Sequence, residues 1–328
     1  MRYQRAELHN HSVESDGSMT PGELMEWAEE HSYEVIALTD HNTCSGHQKA
    51  RKAIQEKNLS VSLLEGVEVP TFYGHILPLG MKHRVAFSDL DPGAPEGFLK
   101  KLRAEGAAAI GLAHPFCLGR PVAAGCRFDM DIHDWDAVDY IEVFNTSAGT
   151  GARAEMIMGN EKALDLWEEK ALEGHRLAAV TGKDIHGKPA DAPVMITYAL
   201  VEEGDGDTQD PAQAVLGAVL EQKTIVTRGP LFEAEAKDGT LTLRYDQSSP
   251  YLDWNSRWKE TKPILVIRDN QGTVIKYPAD FSQSSQEFPI KKEAERLVIR
   301  MYDKETDFAD LLAAGVIVRQ KKEQKGTE

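Results

Sequence analysis

The sequence predicts an α/β protein in two parts, with a parallel sheet or barrel over residues 1–228 and an all-β sandwich over residues 229–328. In the first part, short β-branched runs alternate with helical patterns, which is typical of a parallel sheet. After Arg228-Gly229-Pro230 the segments become short and alternating, with turn residues between them, as in antiparallel hairpins. The length of 328 residues suits one large and one smaller domain.

The helices of the first part carry start and stop signals. Thr20 and Glu23 form a capping box with Pro21 at the first helical position, and Asp210-Pro211 opens a later helix in the same way. Gly106 and Gly174 are expected to end helices. The predicted helices begin at Pro21, run from Ser45 to about Lys57, from Pro95 to Glu105 and from Asn160 to Glu173, and begin again at Pro211.

The strands of the first part are predicted from short apolar runs. They are expected around His9 and His11 and over Val35–Thr39, Val61–Val69, His75–Gly80, Ala107–Ala113, Tyr140–Phe144, Leu177–Thr181, Met195–Val201 and Thr224–Thr227. The strands of the second part are expected over Leu231–Ala236, Leu241–Tyr245, Ile264–Arg268, Val274–Tyr277, Glu287–Ile290, Leu297–Tyr302 and Val316–Arg319.

Composition excludes several classes of protein. The chain is 41% hydrophobic and 27% charged, as expected of a folded globular protein. It has no apolar run of membrane-spanning length and no apolar leader, and Cys44, Cys117 and Cys126 have no C-x-x-C spacing. A reducing, cytoplasmic location is therefore expected. The net charge of -16 argues against nucleic acid as a partner.

Potential metal ligands recur at the ends of the predicted strands. His9 and His11 are two residues apart, so an extended chain directs both imidazoles to one face, and Asp16 follows in a loop. In a (β/α) barrel the carboxyl ends of the strands meet on one face, where active sites are built. Grouping there predicts a metal site rather than separate capping or core residues. The strand-end residues are His9, His11, His41, Glu68, His75, His114, Asp184 and His186.

These motifs resemble, in order, spacing and residue type, those of the PHP (polymerase and histidinol phosphatase) superfamily of metal-dependent phosphoesterases. The resemblance covers residues 1 to about 228, and the Arg-Gly-Pro step into a β-rich region is similar to the branch of carbaryl-hydrolase-type metallohydrolases. It implies a distorted (β/α)7 barrel with two or three divalent metal ions in a cleft. The motifs are the H-x-H of His9 and His11, Ser-Asp-Gly with Asp16, Thr-Asp-His with His41, Gly-x-Glu with Glu68, Gly-His with His75, Ala-His-Pro with His114, and Asp-x-His with Asp184 and His186.

The resemblance also implies which residues hold each metal. One ion would be bound by His9, His11, Glu68 and Asp184, a second by Glu68, His75 and His114, and a third by Asp16, His41 and His186. Of these ligands, Glu68, Asp184 and His186 are also assigned to catalysis. Imidazole and carboxylate ligands without thiolate favour Zn, Mn or Fe.

The expected activity is hydrolysis. Water activated between metal ions is a strong nucleophile near neutral pH, and the same ions stabilise developing negative charge. The leading hypothesis is a phosphoesterase for a small phosphate ester, such as a nucleotide or sugar phosphate. A carboxyl or carbamate ester hydrolase and a non-catalytic metal-containing binding protein stay open as alternatives, and a nuclease role is disfavoured by the charge.

Cationic side chains in loops are candidates for binding a phosphate group. They are Arg120, Arg153, Lys183 and Arg228. Lys183 occupies a position where the family has a small residue, so it is expected either to reach the substrate or to block it.

Further polar residues have supporting or structural roles in this prediction. Asp40 is expected to support the ligands without binding metal, and Glu142 either orients water or a histidine or is a plain strand-end carboxylate. His83 is a rival of His75 as a ligand. The histidines expected at the surface are His31, His47, His133 and His175.

Overall fold

The computed structural model describes residues 2–123, 125–149, 151–188, 194–202, 210–246 and 262–322. Its strands are β1 (Arg2–Glu7), β2 (Val35–Leu38), β3 (Ser62–Glu65), β4 (Val69–Thr71), β5 (Gly74–Leu79), β6 (Ala109–Leu112), β7 (Tyr140–Asn145), β8 (Ala178–Gly182), β9 (Ile196–Val201), β10 (Thr224–Thr227), β11 (Phe232–Lys237), β12 (Thr240–Tyr245), β13 (Ile264–Asp269), β14 (Val274–Pro278), β15 (Ser285–Pro289), β16 (Arg296–Tyr302) and β17 (Leu311–Arg319). Its α-helices are α1 (Pro21–Glu30), α2 (Ser45–Lys57), α3 (Glu96–Ala104), α4 (Gly151–Met158), α5 (Asn160–Glu173) and α6 (Pro211–Leu220).

The helix ends follow the local sequence signals. Thr20 accepts a hydrogen bond from the backbone N–H of Glu23, and the Glu23 side chain accepts one from the Thr20 backbone, which completes the predicted capping box. Asp210 caps α6 through the backbone N–H of Ala212. Gly174 ends α5 in a left-handed conformation with φ of 117°. The helix α4 is a finding that the sequence pattern did not predict.

Three sheets contain these strands. The largest has nine strands in the order β14-β13-β16-β17-β10-β9-β1-β2-β3, a second has five in the order β4-β5-β6-β7-β8, and a third has three in the order β11-β12-β15. The pairs β1–β2, β2–β3, β6–β7 and β7–β8 are parallel, as expected of the first part. The pair β4–β5 is antiparallel, because β5 follows β4 through a tight turn, and the pair β5–β6 is antiparallel as well.

The expected barrel of seven strands is not found as one closed sheet in the described part of the chain. Its strands are divided between the nine-stranded and five-stranded sheets. Isolated bridges join Gly66 to Leu79 and Asn10 to Ile185, near the edges of these two sheets. The fold is therefore a mixed α/β arrangement with large sheets rather than a regular barrel.

The expected β-sandwich is likewise not found as a separate pair of sheets within the described ranges. Strands β13, β14, β16 and β17 extend the sheet of the first part, because β17 pairs with β10. The three-stranded sheet packs on this extension through one apolar cluster that includes Phe232, Leu243 and Ile299. The domain boundary predicted near residue 229 stays a prediction, since one sheet contains strands from both sides of it.

Predicted ligands follow the carboxyl ends of β1, β2, β3, β6 and β8, and His75 lies near the amino end of the antiparallel strand β5. The apolar residues beneath them include Leu8, Leu64, Tyr140 and Val180, all buried. Among the helices that the structure describes, none is long and apolar enough to cross a membrane.

Candidate metal centre

The nine predicted ligands come together in three overlapping groups, with His75 at the amino end of β5 and the others beyond or between strands. Each group contains ligand atoms that lie within 4.8 Å of one another. Glu68 belongs to two of the groups, and so does His11. The groups are His9, His11, Glu68 and Asp184; Glu68, His75 and His114; and His11, Asp16, His41 and His186.

The first group is fully buried. His9 Nε2 lies 2.9 Å from Glu68 Oε2 and 3.6 Å from Asp184 Oδ1. His11 Nε2 lies 3.1 Å from each of the same two oxygen atoms. Two imidazole nitrogens and two carboxylate oxygens thus face one point.

The second group uses the other oxygen of Glu68. Its Oε1 lies 2.6 Å from His75 Nδ1 and 3.3 Å from His114 Nε2. Because Oε1 and Oε2 face different groups, Glu68 has the position of a bridging carboxylate.

The third group is the one that faces solvent. The Asp16 side chain is 55% exposed, and its Oδ2 lies 3.5 Å from His41 Nε2 and 3.3 Å from His186 Nε2. His41 also reaches the first group, with its Nδ1 3.3 Å from Glu68 Oε2. This side of the cluster is therefore accessible from outside.

The backbone around the ligands is fixed by contacts between neighbouring strand ends. The sequence predicts that His9 and His11 lie within a strand. In the structure β1 ends at Glu7, so the H-x-H segment lies just beyond the strand. It stays extended because Asp184 N–H donates to His9 C=O and His11 N–H to Ile185 C=O, both at 2.9 Å. His114 and Asp184 have positive φ angles of 28° and 52°, a strained conformation that clusters at functional sites.

Unpaired buried atoms provide a test of whether these residues fit metal ions. His9 Nε2, both ring nitrogens of His11, His41 Nδ1 and Asp184 Oδ1 are buried without a hydrogen-bond partner of suitable geometry. Burying a polar atom without a hydrogen bond or a bound ion costs free energy of folding. Nitrogen and oxygen ligands about 2.0–2.2 Å from one cation lie about 3 Å from one another, which matches these separations. The residues therefore fit metal ions.

Burial and neighbouring charges shift the pKa values of the clustered ligands. Burial would raise the pKa of Glu68, but His9, His11 and His114 around it hold that pKa well below its usual value. Burial opposes protonation of His11 and His114, yet the carboxylates of Glu68 and Asp184 raise the pKa of each to about 9. Burial lowers the pKa of His41 to about 4. The carboxylates thus favour positive charge at the buried histidines, whether from protons or from a cation.

Glu142 is a supporting residue whose position the sequence left open. It is 1% exposed, and its Oε1 lies 3.1 Å from His9 Nδ1. Its Oε2 accepts hydrogen bonds from His114 N–H at 2.6 Å and from the Asn145 side-chain amide at 3.1 Å. Glu142 thus orients His9 and His114. The signal in the sequence was a carboxylate inside the apolar strand β7.

A network around Asp40 holds the loop after the first two histidines. Asp40 accepts hydrogen bonds from Ser12 N–H, Ser12 O–H and Ser15 O–H, each at 2.7 Å. The loop between His11 and Asp16 is therefore fixed by a carboxylate that precedes His41, in agreement with the supporting role predicted for Asp40.

The four cations predicted to bind substrate have different surroundings. Arg120 is exposed, with its guanidinium 3.6 Å from the centre of the Phe72 ring. Arg153 is exposed on α4 and not in a loop. Lys183 Nζ lies 5.8 Å from the Trp27 ring, and its backbone N–H donates to the buried Glu7 carboxylate. Burial raises the pKa of Glu7 to about 7, and the charge of Lys183 opposes this rise, so neither of the roles predicted for Lys183 toward substrate is evident. Arg228 donates to Ala309 C=O and lines a cavity of about 330 Å³.

The histidines outside the cluster differ in exposure and partners. His83 is exposed and pairs with Glu105, and His75 is the one that joins the cluster. His47 was expected at the surface but is only 3% exposed, because its Nε2 lies against the carbonyls of Leu38 and Gly66. His31 and His175 are partly exposed and His133 is exposed.

Residues 7–165 match the PHP domain family. The chain is also 31% identical over 156 residues to an uncharacterized protein, MJ1587, of Methanocaldococcus jannaschii, a match that covers 43% of this chain and 81% of that protein. The chain belongs to the PHP domain family.

Two relatives of known activity match shorter stretches. A 3′,5′-nucleoside bisphosphate phosphatase of Chromobacterium violaceum is 33% identical over 126 residues, covering 34% of this PHP chain and 40% of the phosphatase. The 5′-3′ exoribonuclease Rnm of Escherichia coli is 37% identical over 67 residues, covering 20% of this chain and 23% of the exoribonuclease. The chain thus spans less than half the length of either enzyme.

One solved structure has a similar fold over nearly the whole chain. It is a Bacteroides vulgatus protein described as a two-domain protein containing a predicted PHP-like metal-dependent phosphoesterase. The TM-score is 0.52 at 14% identity, and the match covers 96% of this chain and 95% of that one. At this identity the similarity concerns the fold alone, and it extends through the C-terminal part.

Proposed function

We propose that this protein is a metal-dependent hydrolase that cleaves a small phosphate ester. One observation carries the proposal: the two oxygens of buried Glu68 face two different histidine groups. A carboxylate in this position is what a site for two adjacent cations requires. Membership of the PHP family and the similarity to a bisphosphate phosphatase favour a phosphate ester as the substrate.

The expected ligands are those in the three groups, with Zn, Mn or Fe favoured by the imidazole and carboxylate donors. Two or three such divalent ions supply Lewis acidity, which activates water at neutral pH and offsets negative charge on the phosphoryl group. Glu142 Oε1 lies 3.1 Å from His9 Nδ1, where it accepts a hydrogen bond from an N–H at that ring position, and His9 Nε2 then faces Glu68 and Asp184.

The exposed group defines the side from which substrate arrives. Asp16, His41 and His186 are partly or fully exposed, whereas the first group is buried. A phosphate group entering there meets the cluster at its most exposed edge among the described ligands. Glu68, Asp184 and His186, which connect this edge with the buried interior, are the residues we assign to catalysis.

We also propose the finer architecture that the resemblance implies. The first part, residues 1–228, would form a distorted barrel, which the two isolated bridges between the sheets support. Residues 229–328 would form a second, sandwich-like domain, which the apolar contact between the three-stranded sheet and the extended sheet supports. A cytoplasmic location and the absence of nucleic acid partners remain predictions from composition.

The proposal is tested with protein loaded separately with Mn²⁺, Zn²⁺ and Fe²⁺. Hydrolysis is expected of one or more phosphomonoesters, read out as released phosphate, or phosphodiesters, read out as the released alcohol and phosphomonoester, and little turnover is expected of carboxyl and carbamate esters. Asp184→Asn should abolish activity and lower metal content, whereas the exposed Glu105→Gln should do neither. Turnover of carboxyl or carbamate esters without hydrolysis of any phosphate ester would replace the proposal by that alternative. Full metal content without turnover of any ester would favour a binding protein.

A further inference from the structure

We infer that Phe72, Tyr73 and Arg120 form a stacking site for a planar aromatic group of the substrate, such as the base of a nucleotide. The inference deepens the proposed function and rests on it, because it concerns the alcohol part of the phosphate ester that is cleaved. We call these three residues the stacking platform. Neither the sequence motifs nor the metal centre requires them.

The platform is an exposed aromatic surface with a cation on one face. Phe72 and Tyr73 are 55% and 37% exposed, and their rings meet edge to face with centroids 5.5 Å apart. The guanidinium carbon of Arg120 lies 3.6 Å from the Phe72 ring centre, a cation–π contact. Aromatic rings with a stacked arginine are the surfaces on which proteins bind nucleobases.

Hydrogen bonds hold the two aromatic residues in a fixed turn between β4 and β5. Thr71 donates its hydroxyl to Gly74 C=O at 2.7 Å and accepts from Tyr73 N–H at 3.0 Å. Asp129 N–H donates to Tyr73 C=O at 2.7 Å. Exposed aromatic rings on a rigid turn are preorganised for a ligand, because little conformational freedom is lost on binding.

Close packing from the segment after β6 adds to this rigidity. A Cβ atom on Gly125 would lie 2.6 Å from Thr71 C=O, and one on Gly74 would lie 2.7 Å from Phe128. The segment that carries Arg120 therefore wraps directly against the turn. Glycine is required at both contacts, and both have positive φ angles, of 85° and 124°.

The platform is joined to ligands of the second metal group on both sides. In the β4–β5 hairpin Thr71 pairs with Gly74 and Pro70 with His75, so the turn lies one step beyond a metal ligand. Phe72 is three residues before His75 in the same hairpin, so the platform and this metal ligand are parts of one rigid element. The segment with Arg120 begins at His114 and returns to it, with Cys126 C=O 3.3 Å from His114 Nδ1. Both sides of the platform are thus tied to residues that would hold the second metal ion.

Most of the exposed large apolar residues follow strands that carry or adjoin the predicted ligands. Seven large hydrophobic residues are exposed in the described ranges, and five of them lie in segments that follow the strands around the metal centre. Among the five, Phe72 and Tyr73 contact each other through their rings and so present one exposed apolar surface. The five are Val13, Phe72, Tyr73, Val122 and Met156, and the other two are Leu220 and Val274.

The experiment compares esters that differ in the aromatic group. Adenosine 3′-monophosphate and adenosine 5′-monophosphate provide a base, and glycerol 3-phosphate does not. Phe72→Ala is expected to raise KM for the nucleotides about tenfold, with a smaller effect on kcat and none on glycerol 3-phosphate. Phe72→Trp should retain the wild-type KM. Val274→Ala, which truncates an equally exposed side chain on β14, is the matched control.

Direct binding separates this inference from the proposed function. Calorimetric titration of the metal-loaded protein with adenosine, which has no phosphate, should show binding that Phe72→Ala weakens about tenfold and Arg120→Ala also weakens. If the wild type cleaves no phosphate ester, the proposed function fails while this titration still tests the platform. If nucleotides are cleaved but Phe72→Ala changes neither KM nor adenosine binding, the platform is wrong and the proposed function stands.

An assay with a short single-stranded RNA distinguishes two sources of the nucleobase, a free nucleotide and the end of an RNA strand. If Phe72→Ala raises KM more for the RNA than for mononucleotides, the platform binds the terminal nucleotide of a strand. If KM rises equally for the two, the platform binds free nucleotides. Equal losses on RNA, mononucleotides and glycerol 3-phosphate would indicate a general structural role and would overturn the inference.

Discussion

Glu142 illustrates how one buried carboxylate organises the metal centre at the scale of a residue. Its Oε2 accepts hydrogen bonds from His114 N–H and the Asn145 side-chain amide, and its Oε1 lies 3.1 Å from His9 Nδ1. Such partners fix the ring orientation of a metal-binding histidine and make it more basic. The roles of His9 and His114 therefore depend on a residue outside their own strands.

Replacing this carboxylate tests its positioning role. Glu142→Gln keeps the shape but presents an amide N–H₂ to groups that are themselves donors, so metal affinity should fall about 10- to 100-fold. The measurement is the dissociation constant for Zn²⁺ or Mn²⁺ from competition with a chelator. Glu96→Gln, an acid-to-amide change at an exposed helix start, should leave it unchanged. Wild-type affinity in Glu142→Gln would contradict the role.

His47 provides a pH-dependent prediction that does not involve a metal ligand. Burial lowers its pKa, and its Nε2 lies 3.1 Å from Leu38 C=O and 3.0 Å from Gly66 C=O. Because the folded-state pKa is below the unfolded value of about 6.5, the folded state resists protonation. The contribution of His47 to stability is therefore complete above about pH 6.5 and falls as the pH decreases through the folded-state pKa.

The variant His47→Gln keeps a donor for the carbonyls but does not titrate. It should destabilise the protein by about 1 kcal/mol at pH 8, and the difference in melting temperature from the wild type should shrink toward pH 5. Thermal unfolding of both proteins between pH 5 and pH 8 measures the difference in melting temperature. Any pH dependence that arises elsewhere in the chain is common to both proteins and cancels in the difference. A difference that is constant with pH would show that His47 is not the titrating group.

At the scale of elements, most helices and strands could be predicted because their signals are local. The capping box of α1, the glycine that ends α5 and the apolar run of β8 each lie within a few residues of the element that they define. The helix α4 was missed because Gly151 and Arg153 interrupt its apolar pattern. The order of the metal motifs also predicted which side chains meet, since strand ends share one face.

Features that depend on contacts between distant segments could not be predicted. Nothing in β17 indicates that it pairs with β10 and so extends the first sheet, because any apolar edge offers the same hydrogen bonds. The stacking of Arg120 on Phe72 joins residues 48 positions apart and has no local signal. His47 was misassigned because its helix is polar overall, although the neighbouring Ala50 and Gly46 are buried with it.

The contact between α5 and β16 is a buried ion pair that allows a prediction about elements. Arg300 donates through Nε to Glu168 at 2.5 Å, and both side chains are almost completely buried. Removing Arg300 leaves the buried Glu168 carboxylate with only the partly exposed Arg268 as a partner, so Arg300→Met should cost about 3 kcal/mol. The double variant Arg300→Met with Glu168→Met should recover most of this loss, because two apolar side chains replace both charges.

Denaturant unfolding of the single and double variants measures the coupling between the two residues. The matched control is Arg268→Met, which removes a partner of Glu168 whose side chain is 40% exposed and should cost less than about 1 kcal/mol. If the two single variants were additive in the double variant, Arg300 and Glu168 would not act as a pair.

At the scale of the molecule, the two parts of the chain share a sheet and a core. Val226 of β10 pairs with Ala314 of β17. One apolar cluster contains Trp167 and Leu177 from the first part together with Val298 and Leu311 from the second. Gly315 lies so close to β8 that a Cβ atom would be 2.7 Å from Ala179 Cβ. The C-terminal part therefore covers surface that the strands below the metal centre would otherwise expose.

Removing the C-terminal part tests this dependence and the domain boundary together. A chain of residues 1–228 loses the partner of β10 and exposes part of the shared core, so we expect it to aggregate, because an unpaired apolar strand edge promotes association. Size-exclusion chromatography and metal content measure the outcome. A chain of residues 1–322 removes only the last six positions and should behave as the full chain does. A monomeric fragment of residues 1–228 that binds metal with wild-type affinity would instead establish an independent domain ending near residue 229.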